Sequence, residues 1–164
     1  MYKIVTCIGA GDTKSNQYMS TLLQDPTADT MTNNGIAPAI IRILAIDDNE
    51  DFRALLKELL TPMGFEITLA SNPVKALELY QRDMNNFDLV LLDYFMPQMD
   101  GAKTFEWLRK LNPKVKVVVI SGSDELRLRQ IQAQTPIAGY IRKPFRTVEA
   151  VALLRRIMAQ PARD

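Results

Sequence analysis

Past residue 39 the chain alternates two rhythms of apolar and polar positions. Short, mainly apolar runs (IIRILAI, FEITLA, LVLL, VKVVVI and IAGYI) are separated by longer stretches in which apolar residues recur every three or four positions. Runs of this length read as strands buried on both faces, as in a parallel sheet, and the longer stretches read as amphipathic helices. Strands are therefore predicted at about residues 40–46, 65–70, 89–92, 115–120 and 137–141.

Helices are predicted at about residues 49–62, from 73 onward, 101–110, 124–134 and 147–158. In the first, Asn49 is a candidate cap, Glu50 and Asp51 favour the first turn, and Phe52, Leu55, Leu56, Leu59 and Leu60 form one face. Met63-Gly64 ends it. Asn72 can cap the second helix, Pro73 suits its first position, and Val74, Leu77 and Tyr80 share a side. Phe105 and Leu108 face inward from the third, which stops before Pro113; Trp107 lies off that face, with partial burial expected. The segment DELRLRQIQAQT offers only Leu126, Leu128 and Ile131 as large apolar residues, so its helix is weakly anchored.

Strands alternating with helices predict an α/β fold: a doubly wound, five-stranded parallel sheet with right-handed crossovers and helices on both faces. Four of the strands end in a reactive group: Asp47-Asp48, Asp93, Ser121 and, one residue further on, Lys143. The run 65–70 ends in none and belongs at an edge, where the flavodoxin-like order 2-1-3-4-5 puts it. Ligand sites of open α/β sheets lie outside the carboxyl ends of the strands, so the four groups converge on one pocket. Carboxylates, a hydroxyl and an ammonium suit a hard divalent cation with a phosphoryl group. Three crowded carboxylates cannot all ionise cheaply, and a divalent cation relieves them.

Composition narrows the chemistry. The chain has no histidine, which excludes Ser-His triads, histidine bases and histidine-bound zinc. Any phosphohistidine must come from another protein. No apolar stretch approaches a membrane span. The start, MYKIVTCIGAG, has a marginal apolar core and no clear cleavage site, so it is not read as a secretory signal. A lone cysteine, Cys7, fits a reducing cytoplasm. The net charge of +1 hides an asymmetry: residues 1–108 carry 8 Lys/Arg against 15 Asp/Glu, and residues 109–164 carry 12 against 4. No DNA-binding motif accompanies the basic half, so a solvated basic face is preferred to a nucleic-acid surface. Residues 1–39, rich in Thr, Asn, Asp, Gln and Ser from Gly11 on, read as a poorly ordered tail before a domain at 40–158, with 159–164 as a second tail.

The stretches LAIDDNEDFR, VLLDYFMPQMDG, VVVISGS and GYIRKPF closely resemble the receiver domain of two-component response regulators, in the single-domain, chemotaxis-regulator style. The resemblance covers about residues 40–158. It implies that Asp93 accepts a phosphoryl group from a sensor histidine kinase or a His-containing phosphotransfer protein. It also implies Mg²⁺ on Asp48, Asp93 and the backbone carbonyl of Phe95, with Asp47 reaching the ion directly or through water. Lys143 and Ser121 would contact the phosphoryl group, Tyr140 would be the rotating aromatic switch, and the Lys143–Pro144 bond would be cis. An unidentified downstream protein, and a phosphorylation-dependent dimer, are the partners it allows. The chain departs from the usual pattern at Ser121, where Thr is commoner, at Gln134-Thr135-Pro136, and at the bulky Phe95. Three alternatives stand beside a signalling domain that is no enzyme. One is a receiver fragment of a larger hybrid kinase or transcription regulator, and another a scaffold that never turns over phosphate. The third, an Asp-nucleophile phosphatase of the haloacid dehalogenase type, needs a second Asp where Phe95 stands.

Overall fold

The computed structural model describes residues 40–96, 101–122, 129–131, 133 and 135–160. The tail expected at 1–39, residues 161–164 of the tail expected at 159–164, and most of the helix expected at 124–134 lie outside them; residues 129–131 and 133 are helical, and Ala159 belongs to the last helix rather than to the expected tail. The chain divides into two units, of which the second, Ile40–Asp164, holds the described fold.

Five strands form one parallel sheet: β1 (Ile41–Ile46), β2 (Phe65–Ala70), β3 (Leu89–Asp93), β4 (Val117–Ser121) and β5 (Gly139–Arg142). Their order is β2-β1-β3-β4-β5, as the sequence predicts. Helices α1 (Glu50–Leu60), α2 (Pro73–Arg82), α3 (Gly101–Leu111) and α4 (Thr147–Ala159) are the longer helices among the described residues. Side chains alternate across the strands and sort into two main layers. Ile43, Ala45, Leu89, Leu91, Val118, Ile120 and Ile141 pack with Leu56 and Leu60 of α1 and Leu154 and Ile157 of α4. Leu44, Ile46, Val90, Leu92 and Val117 pack with Ala76 and Tyr80 of α2 and Phe105 and Leu108 of α3. Each buried Val, Leu, Ile or Phe side chain among them contributes roughly 1.5–3 kcal/mol, which is why these runs tolerate almost no polar residue.

The ends of the elements follow local chemistry. Asn49 caps α1 by accepting the Phe52 N–H at 2.9 Å, and Asn72 caps α2 through Lys75 N–H at 2.9 Å. Pro62 cannot donate, and the helix tightens into a 3₁₀ turn over Thr61–Met63 before Gly64 at φ +85°. Lys116 Nζ donates to the carbonyls of Ile157 (3.0 Å) and Gln160 (2.6 Å), closing the end of α4 on the sheet.

Three expected burials are corrected. Leu55 (43% exposed) and Val74 (57%) face solvent, and Ala76 takes the inward place on α2. Trp107 is exposed at 49%, with Lys110 Nζ 4.8 Å from its ring centroid.

Gly101 starts α3 against the strand that carries Asp93. A Cβ there would lie 2.6 Å from Tyr94 Cα and 2.8 Å from its carbonyl oxygen, both backbone atoms that cannot swing away. Gly101→Ala is therefore expected to cost about 1–3 kcal/mol, read as a lower urea midpoint at unchanged m-value.

Candidate functional site

The carboxyl edge of the sheet gathers the predicted groups. Asp47 follows β1 and is buried, Asp48 is exposed, and Asp93 ends β3 half-buried. One carboxylate oxygen from each lies within 4.8 Å of the others. Lys143, just past β5, donates from Nζ to Asp47 Oδ2 at 2.8 Å and to Asp93 Oδ2 at 2.8 Å. Its own N–H bonds the Ser121 carbonyl at 2.8 Å, which ties the end of β4 to the lysine's backbone. The Lys143–Pro144 bond is cis, as expected. Ser121 is fully buried at the end of β4, one step beyond Ile120, the register partner of Asp93. Tyr140 is 37% exposed and lies on the opposite face of β5 from buried Ile141.

Asp47 is held on every side. Its backbone N–H donates to the Ala70 carbonyl, its Oδ1 accepts the Asn49 N–H at 2.8 Å, and its carbonyl accepts Arg53 Nη1 at 2.8 Å. Asp93 Oδ1 accepts the Phe95 N–H at 3.0 Å, leaving Oδ2 at the ammonium. Phe95 is 43% exposed, its ring edge-on to Tyr94 with centroids 5.5 Å apart. Phe52 covers the lysine: Nζ is 3.8 Å from its ring centroid. Asn49, Phe52 and Arg53 are site neighbours that the sequence reading missed or treated as helix cap and core. Their only sequence signal is nearness to the Asp47-Asp48 pair in the first turn of α1.

Burial pushes the Asp47 carboxyl above its ordinary value, against the Lys143 and Asn49 hydrogen bonds that favour ionisation, while Asp93 adds repulsion. The folded chain thus holds this proton more tightly than the unfolded one. Asp47's contribution to stability is greatest below the ordinary carboxylate range and falls as pH rises through the raised folded value. Asp47→Asn keeps an acceptor for Asn49 and removes the charge. Without Mg²⁺ at neutral pH it is expected to melt higher than wild type. That gap should close as pH drops toward 4; a thermal melt series in pH checks it.

The donor set fits a hard divalent ion: three carboxylate oxygens in reach of one another, no thiolate or imidazole, and a mixed exposure that leaves room for water. Asp47, Asp48 and Asp93 are the residues that would hold such an ion here.

A doubly wound sheet carrying clustered carboxylates and a lysine at its carboxyl edge suits a class of domains that handle phosphoryl groups with a divalent cation. Within it, this chain belongs to the response regulator receiver domain family, whose sequence model matches residues 43–155. It is 31% identical over 124 residues to Response regulator MprA of Mycobacterium leprae (strain TN), covering 76% of this chain and 54% of that protein. It is 33% identical over 117 residues to Transcriptional regulatory protein CpxR of Escherichia coli (strain K12), covering 71% of this chain and 49% of that one. The solved non-phosphorylated HemR receiver domain from Leptospira biflexa matches with a TM-score of 0.63 at 28% identity, covering 76% of this chain and 98% of that chain. The chain spans about half the length of the curated relatives it matches. No helix among the described residues is long and apolar enough to cross a membrane.

Proposed function

We propose that the chain is a phosphorylation-driven binding switch whose phosphoacceptor is Asp93. One observation carries the reading: a single ammonium, Lys143 Nζ, stands 2.8 Å from carboxylates that end or follow two different strands, Asp93 and Asp47. That arrangement puts positive charge beside Asp93, the carboxylate that ends β3, where equatorial phosphoryl oxygens need it. An Asp93 oxygen attacks phosphorus in line. The new O–P bond forms as the P–N bond of a phosphohistidine breaks, and the electron pair leaves on the imidazole, which takes a proton. The imidazole belongs to a partner, a sensor histidine kinase or a His-containing phosphotransfer protein, because this chain has none. Asp48, Asp93 and the Phe95 carbonyl, with Asp47 close by, would hold Mg²⁺, and the ion when bound would supply further charge for the same oxygens. The acyl phosphate then draws the Ser121 hydroxyl inward and Tyr140 turns in behind it, a local charge change biasing a bistable element. The output is binding to a downstream protein or a second copy, in the cytoplasm and without substrate turnover.

The test is incubation with Mg²⁺ and a small phosphodonor, followed by intact mass. Gain of one labile phosphoryl group is expected; no gain at saturating Mg²⁺ removes the reading. Every pocket residue named above, from Asp47 to Lys143, falls within residues 40–158. A chain beginning at Ala39 is therefore expected to keep its melting temperature and its labelling, and a loss of several degrees would assign residues 1–38 to the fold. A second reading, one module of a longer regulator, is favoured by relatives of about twice the matched length. The mass of the native protein on an immunoblot decides it.

A further inference from the structure

Lys143 does not face only acids. Its Nζ lies 3.8 Å from the centroid of the Phe52 ring, well inside the range in which a ring face attracts a cation. Phe52 is braced in turn by Phe145, two residues beyond the lysine, edge-on at 90° with centroids 6.2 Å apart. Its backbone is set by the same carboxylate that binds the lysine. Asp47 Oδ1 takes the Asn49 N–H at 2.8 Å, and Asn49 Oδ1 takes the Phe52 N–H at 2.9 Å. Asp47 Oδ2 takes Lys143 Nζ at 2.8 Å. The contacts close a ring, from one Asp47 oxygen through Asn49, Phe52 and Lys143 back to the other.

An ammonium has three donors, and two of them are used by Asp47 and Asp93. It is also a strongly hydrated charge on a flexible stem, so an open side would admit water and let the stem wander. An aromatic face meets that side with electrostatic attraction and without a hydrogen-bonding group of its own. Apolar residues of similar size would exclude water but would not attract the charge.

Resting on the phosphoacceptor reading, we infer that Phe52 is a positioning residue for phosphoryl transfer, its ring holding the Lys143 ammonium at Asp93 Oδ2. The lysine contacts the incoming phosphoryl oxygens; the phenylalanine acts through the lysine.

Two variants separate the ring from its bulk. Phe52→Leu keeps an apolar side chain and loses the π face, and Phe52→Tyr keeps the face. Carbon–proton NMR of the Lys143 methylene next to the ammonium should show a ring-current upfield shift in wild type and in Phe52→Tyr, and none in Phe52→Leu. At saturating Mg²⁺, labelling by a small phosphodonor should slow about tenfold in Phe52→Leu and stay within about twofold of wild type in Phe52→Tyr. Melting curves identify a variant that has failed to fold, in which case the wild-type ring-current shift decides. Wild-type labelling speed in Phe52→Leu, equal slowing in both variants, or no ring-current shift in wild type would each overturn the inference. If wild type itself takes no label, the phosphoacceptor reading fails, and the ring-current comparison alone then judges where Phe52 holds the lysine.

Discussion

Asp93→Asn should take up no phosphoryl group under conditions that label the wild-type chain. The substitution keeps the side chain's shape and an acceptor oxygen for the Phe95 N–H, now 3.0 Å from Asp93 Oδ1, but removes the nucleophilic carboxylate. Neighbouring acids cannot readily take over. Asp47 is 1% exposed, with one oxygen bonded to Asn49 and the other to Lys143. Asp48 is exposed, lies beyond the end of β1, and is proposed to hold the metal ion. Lys143 keeps Asp47 as a partner in the variant, so the pocket does not lose its cation. Loss of label is therefore expected to be complete within detection, with the melting temperature retained. Intact mass after exposure to phosphodonor and Mg²⁺ measures it. Labelling of the variant at the wild-type rate would move the acceptor elsewhere.

The strands and their order were legible because a parallel sheet covered on both faces demands continuous apolar runs, and this chain has five of them. Their starts were less so. β4 and β5 each begin two residues later than the apolar pattern suggests, at Val117 and Gly139. Local turns claim the preceding donors: Val115 N–H goes to the Asn112 carbonyl and Ile137 N–H to the Thr135 carbonyl. Hydropathy reads side chains and is blind to that backbone choice. It also ranks Val74 above Ala76, although the close approach of α2 to the sheet favours the smaller residue, fully buried. At the site, the acids, Ser121 and Lys143 were legible because each stands at or just past a strand end, where topology alone brings them together. Phe52 and Arg53 were not. Their contacts with Lys143 and with the Asp47 carbonyl depend on how the first turn of α1 sits against the sheet edge, between residues up to 91 apart in sequence.

Phe95 is expected to set how long a phosphorylated state of Asp93 lasts. Hydrolysis of an Asp93 acyl phosphate requires a water in line with the departing oxygen, and the residue two beyond the acceptor borders that approach. Its backbone is fixed to the site by the bond to Asp93 Oδ1, and its ring is steadied edge-on against Tyr94. At 43% exposure the ring is neither buried in the core nor free in solvent, and it carries no group that could orient a water. Phe95→Asn exchanges the ring for a carboxamide that can donate to and accept from water. Orienting a reactant in this way changes rates by orders of magnitude when geometry is right, so loss of phosphate is expected to accelerate by at least about tenfold. The measurement is the decay of the phosphorylated mass after the donor is removed, with Mg²⁺ saturating. Phe95→Ala divides the effect, because it uncovers phosphorus without orienting water: a rate between those of wild type and Phe95→Asn assigns part of the delay to shielding. An unchanged or slower decay in Phe95→Asn would reject the role of the ring and leave membership of the receiver family untouched.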